Sequence, residues 1–376
     1  TTHTIAKDRG KPPRPSPDMT CATANGCAKT GSRCCGRKRR GRGNLSNPVL
    51  VNSWRGDVIE NRHRGAIAVC DPRGRLLHAW GDVSALVYPR SSVKLLQALP
   101  LVESGAADHF RLDQRELALA CSSHGAETTH TETLQSWLQR IGLDETALEC
   151  GPHAPLHEPT AVALLQQRHA YAAIHNNCSG KHTGMLTTCR FLGDAVRGYI
   201  ERDHPAQQRW FDTLGDMADV DLRRLPWNRD GCGVPVIAMP LTAIATAFAR
   251  VAAPDNLDRE RADAIERLAQ AVAEHPLMIA GSGRLGSEVI ALSGRRILVK
   301  SGADGVYTAA LQEKGLGVAL KIDDGNGKAA EVALLEILRR LGGLNGDELG
   351  QLKTHCRIAI SNSLDVVTGY LRAADY

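Results

Sequence analysis

The sequence predicts an α/β protein of the α+β type, in which one antiparallel or mixed sheet draws strands from both ends of the chain and a helical insertion covers it. Three observations predict this. Two apolar runs of strand length flank a turn at residues 65–80, the strand pattern returns after Gly281, and the stretch between them repeats its apolar residues at helical spacing.

The folded part opens with Gly65-Ala-Ile-Ala-Val-Cys70, the turn Asp71-Pro-Arg-Gly74 and the run Arg75-Leu-Leu-His-Ala-Trp80, a β-hairpin by its alternation and turn residues. From Ser91 the spacing of Val93, Leu95, Leu96, Leu99 and Leu101 is helical, and Pro100 predicts an early end or a kink. Further helices are expected at Gln114–Cys121, Glu127–Ile141, Thr160–Gln167, Lys181–Phe191, His204–Met217, Leu241–Val251 and Asp258–Ala273, bounded by Gly, Pro or Asn. Glu288–Leu292, Arg296–Lys300, Gly305–Leu311 and Leu316–Ile322 then read as consecutive antiparallel strands, and Ala329–Leu341 as a closing helix. No repeat and no Gly/Ser- or Pro-rich linker divides residues 46–376, which read as one domain.

The chain has 376 residues, 43% of them hydrophobic and 23% charged, enough for one large core or two modest ones. Its formal charge of +5 misleads, because residues 1–45 hold 11 Lys and Arg against 2 Asp and leave the remainder at −4. The basic character therefore belongs to a tail and not to a folded face, which argues against a nucleic-acid binder. The tail is rich in Pro, Gly and Ser and lacks hydrophobic periodicity, so residues 1–45 are expected to be disordered. The longest apolar candidate for a membrane span, Val234–Ala253, is broken by Pro235 and Pro240 and falls short of the ~20 uninterrupted apolar residues a spanning helix needs. Seven cysteines beyond the tail, odd in number and widely spaced, look like thiols of a reducing compartment, so a cytoplasmic protein is expected.

Four segments carry candidate chemistry. In Tyr88-Pro-Arg90-Ser91-Ser-Val-Lys94, a Ser-x-x-Lys opening a helix puts Ser91 and Lys94 on one face a turn apart, where a lysine amine can take the serine proton. Alone the motif is weak, and an N-cap serine beside a solvent-facing lysine has the same spacing. A strand-borne Lys300-Ser301-Gly302 later in the chain completes the layout of penicillin-recognising serine enzymes. Their Ser-Asp-Asn element is missing and no Ser-x-Asn or Tyr-x-Asn occurs, so similar architecture with different chemistry is expected. Ala120-Cys-Ser122-Ser123-His124-Gly125 ends a helix in two hydroxyls and an imidazole, equally readable as a site loop or as a plain cap with a surface histidine. Finally, His175-Asn-Asn-Cys178-Ser-Gly-Lys181-His182 and Arg229-Asp230-Gly-Cys232-Gly each hold a cysteine in a Gly- or Asn-rich turn. Two such thiolates with a nitrogen from Lys181 or His182 suit a soft divalent metal such as zinc, although cysteines this far apart are more often unrelated.

Together Tyr-Pro-Arg-Ser-Ser-Val-Lys, Cys-Ser-Ser-His-Gly, His-Asn-Asn-Cys-Ser-Gly-Lys-His and Asp-Gly-Cys-Gly-Val-Pro resemble the asparaginase II family, the class 3 or rhizobial type of L-asparaginase, from about Gly65 to Ala374. The resemblance implies a fold similar to serine β-lactamases and glutaminases, hydrolysis of L-asparagine to L-aspartate and ammonia, and a homodimer. It implies two adjacent pairs, Ser91 with Lys94 and Ser123 with Lys300, with Arg90 beside the first. It implies zinc ligands Cys178, Lys181 and Cys232, with Asp230 orienting a metal-bound water or the substrate's amino group, and His124 and His182 at the substrate. On that basis the expected mechanism has Ser91 attacking the carboxamide with Lys94 as base while Ser123 and Lys300 relay protons. A penicillin-recognising hydrolase or esterase, and a zinc-stabilised binding protein without activity, are the alternatives.

Overall fold

The structure is a computed structural model and describes residues 46–376; the expected disordered tail lies outside the described residues. Strand β1 (Val49–Arg55) turns at Gly56 into the 13-residue β2 (Val58–Cys70). The exposed first half of β2 pairs with β1, and its buried second half, Gly65–Cys70, pairs with β3 (Leu76–Trp80) on that same side. The hairpin turn is the expected one, with Asp71 Oδ1 accepting from the amides of Arg73 at 3.0 Å and Arg75 at 2.9 Å.

The chain's other end supplies β4 (Ile297–Gly302), β5 (Val306–Leu311), β6 (Leu316–Ile322), β7 (Arg357–Ser361) and β8 (Val367–Ala373). The sheet runs β7-β8-β1-β2-β6-β5-β4, every pairing antiparallel, and the two chain ends join where Gly65–Cys70 lies against Gly317–Ile322. This is the α/β architecture with an antiparallel sheet that the sequence predicts.

Helices fill the middle. The turn Arg90–Val93 is 3-10 and leads into α1 (Lys94–Gln97); the helix breaks at Ala98 and resumes as α2 (Leu99–Glu103) with Pro100 in its first turn. Then come α3 (Gln114–Ala120), α4 (Thr128–Arg140), α5 (Glu158–Gln166), α6 (Ser179–Leu192), α7 (Pro205–Ala218), α8 (Leu241–Ala252) and α9 (Arg259–Glu274), each within a few residues of expectation. Helix α3 starts on a capping box: Asp113 Oδ1 accepts from the Glu116 amide and Glu116 Oε2 accepts from the Asp113 amide, both at 2.9 Å. Helix α6 is buried from Ser179 to Cys189 and is the central helix of the insertion.

One expected strand is a helix. Residues 288–292 belong to α10 (Leu285–Ser293), which packs on β4 through Leu285, Val289 and Ile290 and ends at Gly294. Val and Ile in a short apolar run are ambiguous, and the buried positions four and five apart decide for a helix. The closing helix forms as α11 (Gly327–Arg340). Strands β1, β7 and β8 and the first half of β2 carry no sequence expectation: they mix Asn, Ser, Arg and Thr with apolar residues and are partly exposed. Among the described residues no helix is long and apolar enough to cross a membrane.

Candidate active site

Helix α3 stops at Cys121, the Ser122 amide still donates to Leu119 O at 3.1 Å, and the Ser123 amide donates to Ile279 O at 2.8 Å. Two amines converge on the Ser123 hydroxyl: Lys94 Nζ from α1 at 3.1 Å and Lys300 Nζ from β4 at 2.8 Å. All three side chains are buried. Lys94 also donates to Ser122 O and, at 3.2 Å, to Asn177 O, so its three N–H donors meet three acceptors. Lys300 donates to Ser301 O at 2.9 Å. Burial, with the charges of Lys94 and Arg284 adding to it, pushes the Lys300 amine well below the ordinary lysine range. The neutral amine has a lone pair for the Ser123 proton, and the Ser123 oxygen accepts from Lys94.

Ser91 sits at the start of the 3-10 turn, half-buried, and its hydroxyl makes no side-chain hydrogen bond among the described residues. Its amide is one of the partnerless donors of a helix start. The expected side-chain pair of Ser91 with Lys94 is not formed; Lys94 reaches past Ser91 to two carbonyls and Ser123. Helical spacing puts two residues on one face, but a buried amine goes where acceptors satisfy it. The expected neighbours Ser123 and Lys300 are in contact.

Arg90 holds this turn from outside. It adopts φ +53° and is clasped by two carboxylates, donating from Nε to Asp230 Oδ1 at 2.7 Å and from Nη1 to Asp304 Oδ2. Asp230 lies in the loop of a hairpin made by Trp227–Arg229 and Pro235–Ile237, and Asp304 in the turn between β4 and β5. Burial raises the Asp230 carboxyl, but Lys181, Arg90 and the Gly231 amide outweigh it and hold the group below its usual value. Strands β4 and β5 lie tight against the turn: a Cβ on Gly302 of β4 would come within 2.5 Å of Pro89 O, and Thr308 Oγ1 of β5 donates to Ser92 O at 3.1 Å.

The second cluster joins two segments that are distant in sequence. Cys178 precedes α6, Lys181 stands in its first turn, and Cys232 is in the hairpin loop; all three are buried. Lys181 Nζ is 3.2 Å from Cys232 Sγ, and the Cys178 thiol donates to Asn177 Oδ1 at 3.4 Å. The neighbouring Cys178 thiol, aided by Lys181 and opposed by burial, holds Cys232 well below an ordinary thiol, while Cys232 and burial push Cys178 up to about 12. Among the described residues no group of three or more His, Cys, Asp and Glu has metal-binding geometry; this set is two sulfurs and an amine.

The two histidines expected at the substrate are buried. His124 is fully buried; Nδ1 accepts from the Ala126 amide at 3.0 Å and Nε2 donates to Ser179 Oγ at 2.9 Å. Burial, then the nearby His130 and Lys94, keeps it neutral. With both nitrogens engaged, His124 braces the Ser123 loop against α6. His182 is also buried, takes the Tyr199 hydroxyl at 2.7 Å on Nδ1, and is pushed down to about 3, chiefly by burial. The carbonyls of Ser122, Asn177 and Ile279, and the side chains of Ser179, Tyr199 and Asp304, carry no sequence expectation. Asn177 lies inside a singled-out motif, but a backbone carbonyl leaves no mark in residue type.

A serine hydroxyl held between two buried amines, beside a helix start with a free hydroxyl and amide, is the equipment of a nucleophilic serine and lysine centre. The sequence model of the L-asparaginase II family matches residues 51–373, and the chain belongs to that family. No curated protein matches the sequence. Among solved structures, Mglu in its native form in 4.3 M NaCl is 17% identical, covering 85% of this chain and 70% of that one, with a TM-score of 0.43. A putative β-lactamase from Bacteroides dorei is 14% identical over 73% of this chain and 93% of its own, with a TM-score of 0.38. A β-lactamase from Mycobacterium bovis, also 14% identical, covers 71% of this chain and 89% of its own with a TM-score of 0.35.

Proposed function

We propose that the protein is an L-asparaginase of the class 3, rhizobial type, an amidohydrolase that converts L-asparagine to L-aspartate and ammonia through an acyl-serine. The convergence of Lys94 and Lys300 on the Ser123 hydroxyl carries this reading, because amide hydrolysis needs a proton acceptor and a proton donor, and this chain holds both without a histidine.

Ser91 is the nucleophile in this reading. Its hydroxyl is unengaged, and its free amide is placed to donate to an oxyanion formed on Ser91. The Ser123 amide is committed to Ile279 O, so an oxyanion formed on Ser123 would lack that donor. As the Ser91 Oγ bond to the carboxamide carbon forms, Lys94 turns toward Ser91 and takes its proton while passing one of its own to Ser123, and the Ser123 proton goes to the neutral Lys300 amine, the terminal acceptor. The carbon–nitrogen bond breaks, the leaving nitrogen takes a proton back from that chain, and ammonia departs. Water then attacks the aspartyl ester as the same chain takes its proton, the bond between the carbonyl carbon and Ser91 Oγ breaks, the chain returns a proton to Ser91, and aspartate leaves.

Cys178, Lys181 and Cys232 fit Zn2+: the three heads converge, Cys232 is already disposed to be a thiolate, and sulfur with an amine suits a soft divalent ion. Bound there with Cys178 and Lys181 deprotonated, zinc would supply a Lewis-acid anchor for the substrate. Asp230, beside Lys181 and hydrogen-bonded to Arg90, would orient the amino group. The reading includes a cytoplasmic location, which the seven free cysteines among the described residues suit, and a homodimer.

The test is ammonia release by the purified protein from L-asparagine and, in parallel, L-glutamine, with Ser91→Ala and Ser123→Ala. Release from asparagine is expected, falling at least ~100-fold in each variant. No release from folded, zinc-supplemented protein sinks the reading and turns attention to β-lactam and ester substrates.

A further inference from the structure

The substrate of the proposed reaction carries an α-carboxylate, and a buried carboxylate needs a cationic partner. Most cations of the site are already engaged. Lys94 has three acceptors, Lys181 faces Cys232, Lys300 serves Ser123 and Ser301 O, and Arg90 is held by Asp230 and Asp304.

Arg284 is different. It is half-buried, its carbonyl accepts from the Glu288 amide at 3.1 Å, and its guanidinium makes no hydrogen bond or ion pair with another described residue. Glu288, one turn further along α10, is turned to His355 at 3.1 Å. Arg284 caps the N-terminus of α10, the helix that packs on the strand carrying Lys300. The segment leading to it is pinned to the Ser123 loop: Ile279 O accepts from the Ser123 amide, and the Ser282 amide and hydroxyl donate to the Glu127 carboxylate at 2.8 and 2.7 Å. Gly281 makes this closeness possible, since a Cβ there would stand 2.3 Å from Glu127 Oε1. The guanidinium is near enough to Lys300 for its charge to be one of those that lower that amine.

We infer that Arg284 binds the substrate's α-carboxylate and so selects an amino-acid amide over a neutral amide, an inference that rests on the amidohydrolase reading above. A planar guanidinium with its donors unspent matches a carboxylate in two parallel hydrogen bonds.

Arg284→Gln and Arg284→Lys test it, with KM and kcat for ammonia release from L-asparagine and from its methyl ester, and calorimetric binding of L-aspartate to each protein. Because the side chain has no partner to lose, both variants are expected to melt within about 2 °C of wild type. The expected result is a KM for asparagine raised about 10- to 100-fold in Arg284→Gln, partial recovery in Arg284→Lys, and a smaller change for the methyl ester. Aspartate binding is expected to weaken in parallel. Wild-type turnover with KM changed less than about twofold in Arg284→Gln overturns the anchor and leaves the reaction standing. If wild type releases no ammonia the reaction falls, and aspartate binding judges the anchor alone: binding lost in Arg284→Gln upholds it, while equal binding or none to wild type overturns it.

Discussion

Lys300 pairs a buried amine with a serine hydroxyl, and the sign of its titration sets how the reaction responds to pH. Burial favours the neutral form, so the amine takes a proton only well below the 10.5 of an ordinary lysine. Activity that needs the free base is present above that lowered value and lost as pH falls through it. The rate profile of kcat/KM should therefore show an acid limb well below pH 10.5, and Lys300→Met should lose at least ~100-fold in kcat. A limb near the ordinary lysine value would remove Lys300 from the role of base. Between the lowered value and 10.5 the unfolded chain binds a proton that the folded chain does not, so this residue's contribution to stability rises with pH across that window. At this scale Ser91, Lys94, Ser123 and Lys300 are legible, because each sits in a short motif whose residue types have chemical meaning. The partner of Lys94 is not, because Asn177 O and Ser122 O are backbone atoms brought in by tertiary folding.

Strand β4 and the 3-10 turn of Ser91 touch through Gly302, and that contact sets the spacing between Ser91, the proposed nucleophile, and the cluster of Lys94, Ser123 and Lys300. In Gly302→Ala the new Cβ would meet Pro89 O at 2.5 Å and Ser92 N at 3.2 Å, so the strand or the turn has to move. The variant is expected to fold with a loss of ~1–3 kcal/mol, and its kcat should fall about tenfold or more, since a small displacement of catalytic groups is costly. A thermal melt beside steady-state kinetics checks both, and an unchanged kcat would show that the spacing is not critical. Elements with strong apolar periodicity, such as α3, or with near-continuous apolar runs, such as β5 and β6, are legible in the sequence. Residues 285–293 are not, because a short helix and a short strand share the same apolar run, and the surface of β4 chooses between them.

Across the whole folded unit, the sheet brings the chain's ends together and the helical insertion carries both cysteine segments to one place. If Cys178, Lys181 and Cys232 hold zinc, the purified protein should contain about one zinc per chain by elemental analysis, and Cys178→Ser and Cys232→Ser should contain close to none. Equal metal in wild type and both variants would place any zinc elsewhere. The joining of the two ends is legible because the strands that meet, Gly65–Cys70 and Leu316–Ile322, are strongly apolar. The outer strands β1, β7 and β8 are not, since half-exposed edges carry the polar residues of any surface.

The pairing of β1 with β8, Val51 opposite Ala373, also fixes an order of events during synthesis. One edge of β1 has its partner within a dozen residues, whereas the other waits until nearly the whole chain has left the ribosome. Closing a loop of that length costs entropy before any contact repays it, so an unprotected strand edge persists through most of translation. Loss of β8 would leave that edge bare permanently, and a truncation after Asn362 would be prone to edge-to-edge aggregation even with every side chain of the candidate site present.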